Sequence, residues 1–219
     1  MNDLTIITPT TGSKHLAKAI ASVQEQTIKV KHLIVVDGPE CIDDVHRQIP
    51  VKPIMPIEIL VLPENVGRYN GKDYYGHRVY SGIPAIVNSD YISFLDEDNW
   101  IWPTFAGKMM DAKEGDRYII VTCRRSIYDE SEVFICNDDF ESVGDNGNYI
   151  LHDTNTYLFH REYYARHLSP YIYGNWGADR SLSEKVVADK RHVHIKDHLS
   201  CYRAPTRLND FFKRQRQWT

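Results

Sequence analysis

The run Tyr91-Ile92-Ser93-Phe94-Leu95 passes without a break into Asp96-Glu97-Asp98, and this junction constrains the fold more than any other stretch of the chain. Five residues of mainly aromatic, β-branched and aliphatic type read as a buried strand. Three acids at its carboxyl end then lie where α/β sheets bind their ligands. Carboxylates crowded at such a point need water or a cation beside them. A hard divalent ion, Mg²⁺ or Mn²⁺, is the natural partner for oxygen ligands and can bridge to a diphosphate. The plainer reading is a solvated acidic turn in which Asp98-Asn99-Trp100 leads on to a helix.

The residues before this junction alternate strand and helix. Leu4–Thr8 reads as a strand ended by Pro9, and Thr10-Thr11-Gly12-Ser13 as a turn. His15–Gln26 carries Leu16, Ala19, Ile20 and Val23 at helical spacing, with Ser13 as its cap. His32–Val36 is a second strand, closed by Asp37-Gly38-Pro39, and Cys41–Ile49 a short helix. Ile57–Leu62 is a third strand, ended by Pro63 and Asn65-Val66-Gly67. Gly76–Asn88 reads as a helix despite Gly82 and Pro84, and leads into Tyr91–Leu95. Four strands joined through helices predict right-handed crossovers and a parallel sheet.

Composition excludes several classes. With 219 residues, 42% of them hydrophobic and 26% charged, the chain has material for one large core. A net charge of −4 argues against a general nucleic-acid coat. Cys41, Cys123, Cys136 and Cys201 form no CxxC pair and read as reduced thiols. No signal-peptide pattern opens the sequence, and no apolar run approaches the roughly 18–20 residues that span a bilayer. The expectation is a soluble cytoplasmic protein.

The strand ends carry compatible chemistry. They hold Thr8-Pro9-Thr10, Asp37-Gly38, Asn65-Val66-Gly67-Arg68 and the acids. Asp37 can accept a hydrogen bond from a base N–H, Gly38 and Gly67 permit close backbone approach, and Arg68 can neutralise phosphate. Each also has an ordinary reading as a turn residue. Neither Gly-x-Gly-x-x-Gly nor Gly-Lys-Ser/Thr is present at the first strand, which speaks against dinucleotide and P-loop sites.

Taken in order, these elements resemble the inverting family 2 glycosyltransferases with the GT-A fold. The residues involved are Ile6-Ile7-Thr8-Pro9-Thr10, Ser22–Thr27, Leu33–Gly38, Asn65-Val66-Gly67 and Tyr91–Asn99. The resemblance implies a Rossmann-like, mostly parallel central sheet flanked by helices. It places the nucleotide at Thr8, Pro9, Thr10 and Asp37, with Asn65, Gly67 and Arg68 beside it. Asp96 and Asp98 occupy the Asp-x-Asp positions that hold ribose and the metal on the diphosphate, and Glu97 is expected with Asp96 to position ribose and metal. Where the family often has an Ala-x-Asn element before the fourth strand, this chain reads Arg78-Val79-Tyr80-Ser81-Gly82.

The second half is expected to build the acceptor side. Tyr118–Cys123 and Glu132–Cys136 read as strands, and Asn137-Asp138-Asp139 and Gly144–Asn148 as turns or mobile loops. His152–Phe159 resembles the strand running under the sugar. Gly174–Leu182 resembles the family's acidic motif at a helix start, where the second acid is the catalytic base. Ala178 stands at the first position, so only Asp179 carries over; its plainer role is to cap a helix running through Val187. His192 and His194 alternate on one strand face. His198, followed by Arg203 and Arg207, resembles a late histidine metal ligand on a flexible basic loop that closes over the diphosphate. A zinc site lacks matching ligand spacing. At the C-terminus, Leu208, Phe211 and Phe212 beside Lys213, Arg214 and Arg216 suit an amphipathic helix, lying either on an anionic membrane or on the domain.

These readings converge on one GT-A domain over 1–219, with residues 1–99 binding nucleotide sugar and 100–219 binding acceptor beneath a C-terminal lid and helix. The activity implied by the resemblance is metal-dependent, inverting transfer from a UDP-sugar to a hydroxyl of a glycan, glycolipid or glycoprotein, with Mn²⁺ or Mg²⁺ as cofactor. A nucleotidyltransferase and a catalytically silent nucleotide- or sugar-binding module are the alternatives.

Overall fold

The computed structural model describes residues 3–115, 117–140, 151–167 and 178–215. The elements in chain order are β1 (Leu4–Thr10), α1 (Leu16–Gln24), β2 (Lys31–Val36), α2 (Ile42–Gln48), β3 (Ile57–Val61), β4 (Arg68–Tyr69), β5 (Lys72–Asp73), α3 (His77–Gly82) and β6 (Tyr91–Phe94). They continue with β7 (Trp100–Ile101), α4 (Phe105–Ala112), β8 (Ile120–Tyr128), β9 (Phe134–Asn137), β10 (Tyr157–His160), α5 (Arg161–His167), α6 (Ala178–Ala188), β11 (His192–Arg203) and α7 (Thr206–Gln215).

One sheet runs through the molecule in the order β3-β2-β1-β6-β10-β8-β11-β7, with β9 also paired to β8. The four strands β3, β2, β1 and β6 are mutually parallel, as the strand–helix alternation predicts. Beyond β6 the sheet turns mixed, because β10 enters antiparallel to both β6 and β8. β1 is buried along its whole length, as a central strand covered on both faces must be.

Helices clothe both faces. On one side Ala19 and Val23 of α1 and Phe105, Ala106 and Met109 of α4 pack on Leu4, Ile6, Val121 and Leu199. On the other, Val79 and Tyr80 of α3, Tyr163 of α5, and Leu182 and Val186 of α6 pack on Ile7, Ile92, Phe94 and Phe159. Each fully buried side chain of this size contributes on the order of 1.5–3 kcal/mol, so the two layers fix where the strand ends point.

Several boundaries move from expectation for local reasons. β1 does not stop at Pro9. The Ile7 carbonyl accepts Leu95 N–H on the β6 side and the Thr10 carbonyl accepts Asp37 N–H on the β2 side. Pro9 has the parity of Ile7, so its missing N–H faces the side where β6 has already ended, and the proline interrupts no ladder bond. Ser13 is not the cap of α1: His15 precedes the helix without a side-chain bond, while Ser13 Oγ accepts His15 N–H at 3.2 Å. Helix 76–88 breaks after Gly82 into a 3₁₀ turn at Ile83–Ala85, where Pro84 removes a donor. The segment before β10 is a 3₁₀ turn, Thr154–Thr156, started by Asp153 accepting from Asn155 N–H. Asn137 belongs to β9 and Asp138 is fully buried, so neither sits in a loose turn. Gly144–Asn148, Gly174–Gly177 and Arg216 lie outside the described residues.

The largest departure is β11. Residues 192–203 form a continuous strand beside β8, with register shifts between His194 and Ser200, instead of a flexible lid. After it, α7 turns Phe212 into a cluster with Ile127, Ile135 and Cys136, and Leu208 and Phe211 pack against it. The apolar side chains of this helix thus pack on the domain. No helix among the described residues is long and apolar enough to cross a membrane.

Candidate active site

A cleft of about 890 Å³ opens at the carboxyl ends of β1, β2 and β6. Pro9, Thr10, Asp37, Asn65, Gly67, Arg68, Asp96, Glu97, Asp98 and Asp179 all line it. Residues spread over 170 positions of sequence thus face one space. Thr8 does not reach it: its side chain is buried and its hydroxyl bonds His32 Nε2 at 2.9 Å.

Asp37 is buried at the end of β2. Oδ1 accepts Val66 N–H at 2.7 Å and Oδ2 accepts Gly67 N–H at 3.0 Å, while Asn65 Nδ2 donates to the Asp37 carbonyl at 3.1 Å. Burial raises its pKa and the two amides oppose the rise. The carboxylate therefore shapes the 65–67 turn and keeps two lone-pair sites for a ligand N–H. Gly67 is required here: a Cβ would sit 2.8 Å from the Tyr75 carbonyl and 2.9 Å from Asp37 Oδ2. Arg68 lines the cleft, but its guanidinium is exposed and donates to Asp73 at 2.9 Å across the β4–β5 ribbon.

The three acids after β6 have three different situations. Asp96 is held by the Tyr80 hydroxyl on Oδ1 and by Asn155 Nδ2 on Oδ2 at 2.8 Å. Glu97 is committed to the loop after β1: it accepts from the Thr10 hydroxyl at 2.5 Å, the Thr11 hydroxyl at 3.1 Å and Ser13 N–H at 2.9 Å. Both its oxygens are thereby used to fasten that loop, although the residue also lines the cleft. Asp98 is exposed to the cleft. Burial first, then neighbouring carboxylates, raises the pKa of Asp96 (through Asp98 and Asp153) and of Asp98 (through Glu97 and Asp153).

Arg203 and His198 lie elsewhere. Arg203 is buried at the end of β11, where Nε donates to the Asp98 carbonyl at 2.9 Å and Nη2 to Glu132 at 2.8 Å. It pins the acidic turn from behind and does not enter the cleft; Arg207, in the first turn of α7, does. His198 sits within β11 and its Nε2 bonds Asp139 at 2.9 Å, away from the acids. A paired strand cannot deliver it as a lid would. His192 and His194 both bond the Thr122 hydroxyl, at 2.7 and 2.9 Å, and belong to the sheet interior with His152.

Asp179 stands in the first turn of α6 and accepts Arg180 N–H at 2.9 Å. Its pKa is raised, by burial and then by Asp153. It also lines a smaller adjoining cavity of about 240 Å³, so it faces both spaces.

Sequence reasoning missed Asp153, Asn155, Tyr80 and Arg125. Arg125, nearly fully buried, donates to Asp138 at 2.8 Å and to Asp153 at 2.6 Å. Asp153 lines the cleft and anchors Asn155. The signal for Asp153 and Asn155 was the polar run His152–Thr156 entering an aromatic strand, and for Tyr80 the departure from Ala-x-Asn.

Among the described residues, no three histidine, cysteine or acidic side chains converge as a ready-made metal cage. The donor set nevertheless suits Mg²⁺ or Mn²⁺. Asp96 and Asp98 offer carboxylate oxygens at the cleft, and Arg125 is already shared between Asp138 and Asp153. Ions of this kind are commonly held by one or two carboxylates, with substrate phosphates and water completing the shell.

The model of the family described as Glycosyl transferase family 2 matches residues 5–187. No curated protein matches the sequence. Solved structures of similar fold include S. aureus TarS 1-349 in complex with UDP, at 12% identity and TM-score 0.66, covering 95% of this chain and 62% of that one. The mannosyltransferase PcManGT from Pyrobaculum calidifontis, in complex with GDP-Man and Mn²⁺, matches at 14% identity and TM-score 0.62, covering 99% and 63%. S. aureus TarS itself gives 12% identity and TM-score 0.65, with 92% and 37% covered. The chain thus spans between about a third and two thirds of the length of these proteins.

Proposed function

The chain belongs to glycosyl transferase family 2, and from that premise we propose that it transfers a sugar, with inversion, from a UDP-sugar to an acceptor hydroxyl. Its fold is GT-A and it is a glycosyltransferase; the nucleotidyltransferase alternative falls with that membership. The observation that carries the finer reading is one cleft lined on one side by Asp37 and Gly67, at its floor by Asp96 and Asp98, and also by Asp179.

The base of the nucleotide docks against the 65–67 turn, where Asp37 accepts an N–H and the absence of a Cβ on Gly67 leaves the backbone accessible. Ribose and diphosphate lie over Asp96 and Asp98. A bound Mn²⁺ or Mg²⁺, held by Asp98 with Asp96, would act as a Lewis acid that stabilises negative charge on the diphosphate. Arg207 adds positive charge from the opposite rim.

Asp179 takes the proton of the acceptor hydroxyl as that oxygen bonds to the anomeric carbon. The bond from that carbon to the diphosphate oxygen breaks, and the nucleoside diphosphate leaves with the electron pair. The raised pKa of Asp179 makes its carboxylate a better base than an exposed aspartate. Its position between the two cavities supports a donor on one side and an acceptor on the other. The acceptor class is a hydroxyl of a glycan, glycolipid or glycoprotein.

The test is incubation with a panel of nucleotide sugars and Mn²⁺, measuring released nucleotide. Release from a UDP-sugar that is lost in Asp179→Asn supports the assignment. Binding of UDP without release from any donor and acceptor tried would favour the silent binding module.

A further inference from the structure

Asp96 is the most constrained of the cleft carboxylates, and its restraints come from two separate elements. Asn155, completely buried, pairs with it at two points: Oδ1 accepts Asp96 N–H at 2.5 Å, and Nδ2 donates to Asp96 Oδ2 at 2.8 Å. The Tyr80 hydroxyl, from α3 on the other side, donates to Oδ1. Asn99 Nδ2 also donates to Oδ2, at 3.4 Å, so Oδ2 receives two protein donors and Oδ1 one, and the lone-pair site left for a ligand is on Oδ1.

The two clamping residues are themselves fixed. The Tyr80 ring packs against Phe94 at 4.5 Å between centroids. Asp153 Oδ1 accepts from Asn155 N–H at 2.9 Å and Nδ2 at 2.5 Å. Behind it, Arg125 joins Asp153 to Asp138. An unbroken buried chain therefore runs Asp138–Arg125–Asp153–Asn155–Asp96–Tyr80, from β9 to the floor of the cleft. Asp98, two residues on, is open to that cleft. One acid is aimed and the other is left to adjust.

We propose that Tyr80 and Asn155 are positioning residues, which orient Asp96 so that the open lone pair of Oδ1 faces the nucleotide ribose and diphosphate-bound cation. This rests on the donor-site reading given above. Tyr80 stands in the segment where the chain departs from the Ala-x-Asn of the family it resembles, and the clamp gives that departure a use.

Partners that orient a metal-site ligand typically change affinity or activity about 10–100-fold when removed. The experiment is calorimetric titration of UDP into the full chain, with Mn²⁺ and with EDTA, for wild type, Tyr80→Phe, Asn155→Ala and Asp96→Ala. The quantity read is the factor by which Mn²⁺ tightens UDP binding. Tyr80→Phe keeps the ring and its packing, so its unfolding temperature should stay within about 3 °C of wild type while that factor falls about 10-fold. Asn155→Ala should lower it at least as far, and the loss should vanish when Tyr80→Phe is added to Asp96→Ala. A folded Tyr80→Phe protein with a wild-type Mn²⁺ factor overturns the clamp, even if Asn155→Ala fails to fold. If Asp96→Ala itself keeps the wild-type factor, the placement of the donor is wrong and the clamp falls with it.

Discussion

Asp96→Asn should make the free protein more stable while disabling it. Asp96 is enclosed by protein and faces Asp98 and Asp153, and its carboxyl is raised from 3.8 to about 7. A rise of about three units corresponds to at most ~4 kcal/mol of penalty for holding the charged form at high pH. Water in the open cleft screens part of this, so about half, ~2 kcal/mol, is the working figure. Asparagine keeps the shape: its oxygen accepts from Asn155, and its amide donates to the Tyr80 hydroxyl, which can accept as readily as donate. The sign follows from the direction of the shift. A carboxyl raised on folding favours the folded state only when protonated, so the penalty is fully present above pH 7 and is gone below about 3.8. At pH 5, between the two values, only part of it remains. For a chain of this size, ~2 kcal/mol is worth about 4–8 °C. Thermal unfolding in EDTA should therefore show Asp96→Asn melting about 4–8 °C above wild type at pH 8 and by a smaller margin at pH 5. Mn²⁺-dependent UDP binding should be lost in the same variant. A melting temperature at or below wild type at pH 8, or a gain that does not shrink at pH 5, would refute the electrostatic account of this cleft.

Other consequences are equally direct. Asp179→Asn should lower transfer about 10²-fold or more with UDP affinity nearly unchanged; near-normal turnover would leave Asp179 without a role as base. Gly67→Ala must push the Tyr75 carbonyl or Asp37 aside, so it should cost about 1–3 kcal/mol and weaken UDP binding; a wild-type melting temperature would contradict the close approach seen in the turn. Arg203→Met strips donors from two carbonyls and from Glu132, at a cost of about 2–3 kcal/mol, whereas His198→Ala should leave the Mn²⁺ effect on UDP binding intact. Limited proteolysis should spare residues 192–203 with and without UDP and Mn²⁺, and ligand-induced protection there would revive the mobile lid.

What the sequence disclosed and what it hid divide along one physical line. The parallel half was legible because each of its strands is a short apolar run punctuated by turn residues, and because the ligand-facing groups follow those runs directly: Asp37 after β2, Asn65-Val66-Gly67 after β3, the acids after β6. Periodicity cannot say which way a side chain in such a cluster points. Glu97 is flanked by two cleft acids in sequence, yet both its oxygens go to the loop at 10–13. The histidine and arginine at 198 and 203 resemble part of a flexible basic loop, and Lys196, Asp197 and His198 interrupt the apolar pattern there. In the fold that interruption is a stretch of shifted register, and the strand resumes alongside β8 through Arg203. The residues missed altogether are those whose meaning exists only across long separations. Asn155 is an ordinary turn asparagine until β10 is laid beside β6, 59 positions from Asp96, and Arg125 is an unremarkable strand arginine until Asp138 and Asp153 close on it. A buried cation placed between two carboxylates offsets charge behind the cleft without entering it. The burial and crowding that raise the pKa of Asp96 and Asp98 make their charged forms costly in the free protein, and a ligand's cation would relieve that cost on binding.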